Sequence, residues 1–540
     1  MAIAGSLFSL NVFAQETGQL SGDFQTNFSI YDNDSIIGTN TTQYFHEKSS
    51  AEAWLFLNYR LNDFSVQARF DLFNNSPLMN PNEAYTRQGL GFYSLSKKIK
   101  NLDLTVGHFY DQFGSGIVFR AFEDRTIGLD YAIQGVRVQY NPTDSFMVKV
   151  FTGLQKNRFD HHQQVMKGAN AEQIWRIGNL DFLTGGAFLN RTLDQNTMQA
   201  LADQINALPY EELFTPKYNV YAGSIYNTLR FNNVSLYTEY AKKSKEAVIL
   251  SDRDGNIELA NTGGDVFYTS LSYSFSGFGL NLQYKKVDNF ILRTSPYTTF
   301  LVGTMNYLPA LSKQHNFRLP ARYSIAALAQ GEEGVQAEIT YSYNKTSTFN
   351  FNTSQIFDPN GNRLFREYYI DYNKKFNKRA HGIFGFHTVY YDQEIYEFKP
   401  RAKAVQTITP FIEFSYRLDG SPKAIDPNAP RPKRSRLRPS IRTELQYLQT
   451  GEDRGDFAFG LLELNLAPRY SFSISDMINT RPKDQAKPVH YYSFFASFTE
   501  KQTRFSIGYA KQVAGVICTG GVCRIEPAFS GLRAGLSTNF

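Results

Sequence analysis

Long apolar runs, cysteine and tryptophan are all scarce in this chain of 540 residues. No stretch of 18 apolar residues occurs and the mean hydropathy is -0.38, which excludes helical membrane spans. The net charge of +6 is mild and spread along the chain, so we expect no nucleic-acid partner. H-E-x-x-H, G-x-S-x-G and phosphate-loop motifs are missing too, so we expect no enzymatic activity, no cofactor and no metal.

Aromatic side chains, by contrast, are abundant, with 46 Phe and 34 Tyr against two Trp. Aromatic enrichment without long apolar runs is typical of a membrane β-barrel, because lipid-facing and lumen-facing residues alternate and their hydropathies cancel. The alternative is a large soluble all-β protein such as a propeller. We favour the barrel because its apolar positions hold Phe and Tyr, which suit lipid better than a narrow soluble core.

Apolar and polar residues alternate in segments of about 10 residues, the length of a tilted membrane strand. In residues 64–72, for example, apolar side chains alternate with Ser65, Gln67, Arg69 and Asp71. Charges cost little on a lumen face and several kcal/mol on a lipid face. We therefore predict an all-β fold, a single large transmembrane antiparallel barrel of about 24 strands, within a range of about 22–26. The predicted lumen-facing charges are Arg69, Lys149, Glu338 and Arg442.

Connection lengths alternate along the chain. We expect long polar loops around residues 32–50, 111–133, 155–169, 191–213 and 291–330, with short turns between them. Long loops are extracellular and short turns periplasmic in such barrels. Residues 197–208 are predicted to form an amphipathic helix with Asn196 or Thr197 as cap. Asp160-His161-His162 is interpreted as a solvated loop, because adjacent histidines in a strand would point to opposite faces.

One connection on the predicted periplasmic side, residues 420–439, is long, rich in proline and strongly basic near its end. Its charges, including Arg434 and Arg436, would attract an acidic periplasmic partner or anionic lipid headgroups. The alternative is a solvated basic turn that only flanks the membrane.

Both ends of the chain carry export features. Residues 1–14 are apolar and small and end in a cleavage pattern, so we predict a signal peptide followed by one barrel domain, residues 15–540. The basic start of a signal is missing, since no Lys or Arg precedes Lys48, and a buried first strand is the alternative. The last strand places Leu536 and the terminal Phe540 on one face, which resembles the signal read by the barrel-assembly machinery. That machinery and outer-membrane lipid are thus expected partners.

The two cysteines, Cys518 and Cys523, flank only four residues. An even, closely spaced pair in an exported chain predicts a disulfide, and no further metal ligands lie nearby in the sequence.

One stretch is more specific than the barrel pattern. The run from Val106 to Gly116, the following I-V-F-R-A-F-E-D-R at 117–125, and residues 127–138 resemble a motif of a Bacteroidota family of uncharacterised outer-membrane barrels, a domain of unknown function. The cysteine hairpin with Arg524 and Pro527 is similar to that family as well. The resemblance implies an address in the outer membrane of a Gram-negative bacterium and implies no known activity.

The same stretch follows one predicted strand and precedes another, so it forms an extracellular loop or one that folds inward. The loop can act as a constriction that selects which solutes pass, or as a plug or loop brace held in place by ion pairs. We favour the second interpretation. The candidate residues are Gly114, Gly116, Arg120, Glu123, Asp124, Arg125 and Asp130.

The connection 291–330 is unusually apolar, with Leu301, Met305, Leu308 and Leu311. A loop in water does not need such side chains, so this one fills the lumen or docks on another protein. Two functions stay open: a porin-like or substrate-specific channel, or a plugged barrel that serves as a structural subunit of a surface or secretion complex with a periplasmic or surface partner. An outer-membrane enzyme ranks third.

Overall fold

The protein, described here from a computed structural model, is a closed antiparallel β-barrel of 24 strands, as the alternation predicted. The structure describes residues 18–77, 84–251, 255–299, 301–418, 437–483, 487–519 and 522–540. The predicted signal peptide and nearly all of the basic connection 420–439 lie outside the described residues.

The barrel strands follow one another in chain order. They are β1 (Gln19–Tyr31), β2 (Ser49–Leu61), β3 (Phe64–Ser76), β4 (Tyr85–Ile99), β5 (Leu102–Phe109), β6 (Ile133–Thr143), β7 (Phe146–Asn157), β8 (Asp160–Ile177), β9 (Leu180–Thr192), β10 (Asn219–Phe231), β11 (Val234–Ser251), β12 (Ile257–Phe275), β13 (Phe278–Asp288), β14 (Gly331–Asn344), β15 (Ser347–Phe357), β16 (Arg363–Lys375), β17 (Ala380–Tyr391), β18 (Val405–Arg417), β19 (Arg438–Thr450), β20 (Gly455–Ala467), β21 (Tyr470–Pro482), β22 (Val489–Glu500), β23 (Thr503–Gln512) and β24 (Phe529–Asn539).

Each strand pairs with its neighbours in the chain, and the last strand returns to the first. Phe28 on β1 lies opposite Ala534 on β24, and the pairing runs from Asp23 to Tyr31. The terminal residue extends this ladder, since the Phe540 amide donates to Gly22 O at 3.0 Å and the Gly22 amide donates to Phe540 O at 2.8 Å. Closure leaves no unpaired edge, which satisfies the backbone groups in lipid.

The two faces of the wall differ as the sequence predicted. On β3, Phe64 and Phe70 point outward and are 42% and 49% exposed, whereas Arg69 between them points inward and is 3% exposed. Large apolar side chains are exposed in the same way along the other barrel strands. This outer surface is the apolar band of a membrane-embedded barrel.

Connection lengths define two ends of the barrel. At the short-turn end, most connections have two to four residues, and β1 begins and β24 ends there; at the long-loop end lie the connections 32–48, 110–132, 193–218, 289–330, 392–404 and 513–528. The helices α1 (Thr42–His46), α2 (Gln195–Asn206) and α3 (Gln393–Tyr396) belong to long loops. No helix in the described part of the chain has the length and apolarity to cross a membrane.

The helix α2 matches the predicted helix, but its cap does not. Asp194 caps it, accepting hydrogen bonds from the Asn196 and Thr197 amides at 3.0 and 3.1 Å. Aspartate at this position satisfies backbone amides that the first turn leaves without a partner, which explains why it serves better than the two residues inside the helix.

The prediction of a long loop around residues 155–169 is wrong. Only Arg158 and Phe159 separate β7 from β8, so Asp160, His161 and His162 lie in a strand rather than in a solvated loop. The start of β8 is attached to β4, because Arg87 Nη1 lies 2.6 Å from Asp160 Oδ2. The first five residues of β8, from Asp160 to Gln164, are all polar, so the apolar–polar alternation that predicted the other strands is missing here.

Candidate functional site

The connection 110–132, which carries the sequence motif, folds back into the barrel. Two short antiparallel pairs give it shape: Asp111–Gln112 with Arg120–Ala121, and Glu123–Asp124 with Leu129–Asp130. In the loop that the first pair closes, the apolar side chains of the motif are almost completely buried: Phe113, Ile117, Val118 and Phe119. The motif is therefore a folded element inside the lumen rather than a loop in solvent.

The tip of this element needs its two glycines. Gly114 and Gly116 have φ angles of 51° and 98°, in the left-handed region that favours glycine. A Cβ on Gly114 would lie 3.0 Å from the Tyr226 ring on β10. Next to it, the Ser115 hydroxyl donates to Glu239 Oε2 at 2.5 Å, so the tip is fastened to the wall at β11.

Ion pairs attach the base of the element to the opposite wall. Arg69 on β3 lies 2.6 Å from Glu123 Oε1 and 2.7 Å from Asp130 Oδ2. It also lies 2.7 Å from Asp71 on its own strand, and Lys156 on β7 contacts Asp130 from the other side. Two wall cations and one wall carboxylate thus surround the two loop carboxylates in a buried network.

The network fixes the charge state of Asp130. Burial alone would raise the pKa of this carboxyl, but Lys156 and Arg69 outweigh burial and hold the pKa at about 2. The Tyr110 hydroxyl donates a further hydrogen bond to Asp130 at 2.9 Å. Asp130 is therefore ionised at every pH at which the barrel is expected to work.

The other candidate residues of the motif flank this network. Arg125 lies 2.9 Å from Glu123 Oε1, and 3.5 Å from Asp23 on β1. Asp124 instead accepts hydrogen bonds from the Thr126 amide and hydroxyl, which shapes the local turn. The Arg120 guanidinium lies over the Phe122 and Tyr307 rings, with centroid distances of 4.5 and 4.4 Å.

The apolar connection 289–330 also lies in the lumen and joins the first element. The Arg120 amide donates to Met305 O at 3.0 Å, the Tyr307 amide donates to Gly116 O at 2.9 Å, and the Asn306 side chain donates to Ile117 O at 3.0 Å. Met305 and Leu311 are fully buried. Of the two interpretations of this apolar loop, filling of the lumen is the one the structure shows. We call residues 110–132 and 289–330 together the plug; Phe300 lies outside the described residues.

Polar contacts fasten the second plug segment around the far wall. Leu319 N donates to Gln446 Oε1 on β19 at 2.8 Å, and Lys313 lies 3.6 Å from Glu338 on β14. Arg322 and Lys399 each lie 3.2 Å from Asp453. Burial raises the pKa of Asp453, but these two cations lower it more, so the pKa is below its ordinary value.

The plug fills only part of the lumen. Along β14, the side chain of Glu332 near the long-loop end is 0% exposed, whereas Glu338 further along is 38% exposed. Along β19, Gln446 is buried and Arg442 is 34% exposed. Among the described residues, the lumen beside β14 and β19 is therefore closed near the long-loop end and open near the short-turn end, and we call this open part the vestibule.

A cavity of about 540 Å³ remains beside the plug. It lies between the plug and the wall strands β1–β3 and β22–β24, next to the Arg69 network. Its lining mixes charges with aromatic rings and includes Glu52, Trp54, Arg125, Lys156, Phe495 and Arg533.

All four charges predicted to face the lumen lie on the inner wall. Arg69 holds the plug, and Lys149 lies 2.8 Å from Asp111 at the start of the plug. Glu338 lies at the border of the vestibule, where it contacts Lys313 of the plug. Arg442 lines the vestibule, 3.0 Å from Glu413 and in contact with Glu444. The alternation of the strands was enough to find these side chains, but it gave no sign of which contact the plug.

The matching family model spans almost the whole chain. The model described as "Family of unknown function (DUF6029)" matches residues 2–540. The chain belongs to the DUF6029 family. This agrees with the uncharacterised family that the sequence motif resembled, while the bacterial group stays a prediction.

Several solved barrels are similar in fold to this DUF6029 protein. The translocation pore of the P pilus usher PapC has 9% identity and a TM-score of 0.44, with 96% of this chain and 99% of that chain covered. The Escherichia coli outer membrane transporter YddB has 8% identity and a TM-score of 0.38, covering 96% and 81%. Pseudomonas putida OprB has 12% identity and a TM-score of 0.33, with 64% of this chain and 90% of that chain covered. At these identities the likeness concerns the barrel fold alone. Comparison with curated protein sequences finds no match.

Proposed function

We propose that the protein is a channel in the outer membrane of a Gram-negative bacterium, held closed by the plug and open to the periplasm through the vestibule. The observation that carries this proposal is the change in exposure along single strands, from the buried Glu332 to the partly exposed Glu338. A polar lumen that is open beside β14 and β19 offers an aqueous path up to the plug.

The plug limits how such a channel can open. Its fully buried apolar side chains include Phe113, Ile117, Phe119, Met305 and Leu311. Burial of each is worth about 1.5–3 kcal/mol, so expulsion of the whole plug would cost on the order of 10 kcal/mol. We therefore expect passage beside the plug, through the cavity, where ion pairs rather than apolar contacts form the attachment. The mixed polar lining favours a small polar solute.

Conductance across planar lipid bilayers tests the proposal. The purified protein is expected to conduct rarely, and a variant with Glu123→Gln and Asp130→Asn is expected to open more often because the attachment to Arg69 is weakened. The matched control replaces another pair, Arg87→Gln with Asp160→Asn, which is exposed at the long-loop end and has no hydrogen bond or ion pair with the described plug residues. Equal conductance in the plug variant and the control would refute gating at the Arg69 network.

A shortened protein gives an independent reference. Asn289 N donates to Gln330 O at 3.0 Å, so the two ends of the second plug segment are adjacent and a short Gly-Ser linker can join them. Replacement of residues 291–328 is expected to give a large, steady conductance. The second candidate function is a plugged barrel that serves as a structural subunit. It is supported if the shortened barrel conducts while the intact protein never does. The extensive apolar packing of the plug is the observation that favours that candidate.

The proposal includes the export route of the chain. It comprises a signal peptide in residues 1–14, assembly of β24 by the barrel-assembly machinery, and a disulfide between Cys518 and Cys523. The backbone register supports the disulfide, because the two residues lie directly opposite each other in the hairpin Gly515–Thr519 with Val522–Glu526.

A further inference from the structure

Three potential metal ligands from different parts of the chain meet inside the barrel. His315 lies in the second plug segment, Glu367 on β16 and His387 on β17. His315 Nε2 is 3.2 Å from Glu367 Oε2, and His387 Nε2 is 3.8 Å from the same oxygen. One ligand atom from each residue can be chosen so that all three lie within 4.8 Å of one another.

The protein leaves the two imidazole rings without adequate partners. The side chains of His315, Glu367 and His387 are only 2%, 2% and 3% exposed. Within the described part of the chain, neither ring nitrogen of His387 has a hydrogen-bond partner, and Nδ1 of His315 has none. A buried polar atom without a partner is costly, and such atoms are rare in folded proteins. An additional ligand between the rings would remove this cost.

The surroundings orient the carboxylate and keep water away. The Asn352 amide donates a hydrogen bond to Glu367 Oε1, and Gln336 donates one to Asn352 Oδ1 at 2.9 Å. Aromatic rings cover the cluster on the other side, with Tyr369 stacked against Phe411 and 5.2 Å from the His315 ring. Hydrogen bonds of this kind fix the position of a ligating carboxylate and are typical around metal sites.

We propose that His315, Glu367 and His387 bind a divalent transition-metal ion of the Zn²⁺ class. Two imidazoles with one carboxylate suit such an ion, whereas Ca²⁺ and Mg²⁺ prefer oxygen ligands throughout. Bonds of about 2.0–2.2 Å at tetrahedral angles put ligand atoms about 3.4 Å apart, close to the two distances from Glu367 Oε2. Three protein ligands leave a fourth position for water.

Such an ion would tie the plug to the wall. His315 belongs to the plug, whereas Glu367 and His387 belong to adjacent strands of the barrel. The ion would therefore add an attachment on the wall that lies away from the Arg69 network. This inference goes beyond the proposed channel and does not depend on it, because the site exists whether or not solutes pass.

Metal titration of the untagged, detergent-purified protein tests the site. After removal of metal with a chelator, Co²⁺ is added and its visible absorption followed, and Zn²⁺ is titrated against a chromophoric chelator. We expect one equivalent of each ion to bind. Loss of a residue that only supports a ligand weakens metal sites about 10–100-fold, so His387→Gln and His315→Gln, which remove ligands, are each expected to weaken binding by about 100-fold or more.

The matched control is His490→Gln. His490 also contacts a carboxylate, with Nδ1 2.6 Å from Asp476 Oδ2, but it is exposed and has no third ligand among the described residues. Binding should be unchanged in this variant. Full binding in the His315 and His387 variants, or its loss in the His490 variant, would place the ion elsewhere and overturn the proposal.

A measurement without substitutions protects the test against misfolded variants. Zn²⁺ should raise the thermal unfolding temperature of the metal-free wild type, because a ligand that binds only the folded state stabilises it. A wild-type protein with intact barrel circular dichroism that takes up no equivalent of Zn²⁺ or Co²⁺ would refute the site, and the two rings would then form only a histidine–carboxylate pair. A protein that binds the ion and never conducts would refute the channel alone.

Discussion

Arg69 Nη2 on β3 and Asp130 Oδ2 in the plug lie 2.7 Å apart, although 61 positions separate the two residues in the chain. The pair joins the barrel wall to the element that closes it. The Arg69 side chain is 3% exposed and the Asp130 side chain 17%, so water screens the pair little.

Asp130→Asn is expected to weaken attachment of the plug. The change leaves the buried Arg69 and Lys156 short of a counter-charge, and breaking a buried pair in this way costs about 3 kcal/mol. Limited proteolysis of the plug and thermal unfolding in detergent measure the effect. Asp160→Asn breaks a pair that is exposed to water and should therefore have a much smaller effect. Equal effects of the two variants would mean that the Arg69 network does not hold the plug.

Acid should loosen the same attachment over a defined range. The pKa of Asp130 is about 2 in the folded protein, below the value of about 3.9 for a free side chain, so its stabilisation is complete above about pH 5 and is lost as the pH falls towards 2. Trp54 lies in the adjacent cavity beneath Arg125, and the other tryptophan is Trp175, so fluorescence in a Trp175→Phe background reports on the cavity. We expect the Trp54 emission to shift to longer wavelength below pH 4, and we expect this shift to be smaller in the Asp130→Asn variant. The same transition in both proteins would assign it to other carboxylates.

Leu536→Arg should impair assembly of the barrel. Leu536 lies opposite Phe505 and Thr26 on the outer face, three positions before β24 ends, so it is nearer the membrane interface than the midplane. The cost of arginine there falls between about 2–4 kcal/mol at the midplane and about 0–1 at the interface. The heat-modifiable band in outer-membrane fractions measures assembly, and Ser537→Arg, on the inner face, is the control. Normal abundance of the Leu536 variant would show that this position does not face lipid.

Deletion of Phe540 is also expected to reduce assembly, since two hydrogen bonds with Gly22 are lost.

Cys518 and Cys523 should give no signal with a thiol reagent unless a reductant is added first. The loop they close is so short that the bond would add only about 2 kcal/mol of stability. We therefore expect Cys518→Ser with Cys523→Ser to fold normally and to be cleaved more easily at this hairpin. Two thiols that react in the exported protein would contradict the prediction.

Charge reversal of Arg434 and Arg436 tests the basic connection 420–439. Its positive charges are expected to hold an acidic periplasmic partner or anionic lipid, so Arg434→Glu with Arg436→Glu should release a co-purifying partner while assembly and conductance stay the same. The matched control is Lys100→Glu with Lys501→Glu, which reverses two charges in the short turns β4–β5 and β22–β23 at the same end of the barrel. Retention of every partner at low salt would leave the segment a solvated turn.

The sequence by itself determined the barrel wall. Alternation such as Phe64, Arg69 and Phe70 assigns each side chain to lipid or lumen, because a strand has a period of two and lipid tolerates no charge on its side. The same rule found Lys149, Glu338 and Arg442, and it placed the closing strand. It failed at Asp160, where the first five residues of β8 are all polar and no apolar–polar alternation marks the strand.

Only the tertiary structure decided what the lumen contains. The composition of 110–132 and 289–330 showed that both segments carry apolar side chains that need cover, but not that they cover each other inside the barrel. Asp130 reaches Arg69, and His315 reaches Glu367 and His387, through chain paths that no local periodicity encodes. Such contacts arise from long-range closure of the sheet, which brings strands distant in sequence around one interior, and that is why the plug and the metal ligands could be located only in the folded chain.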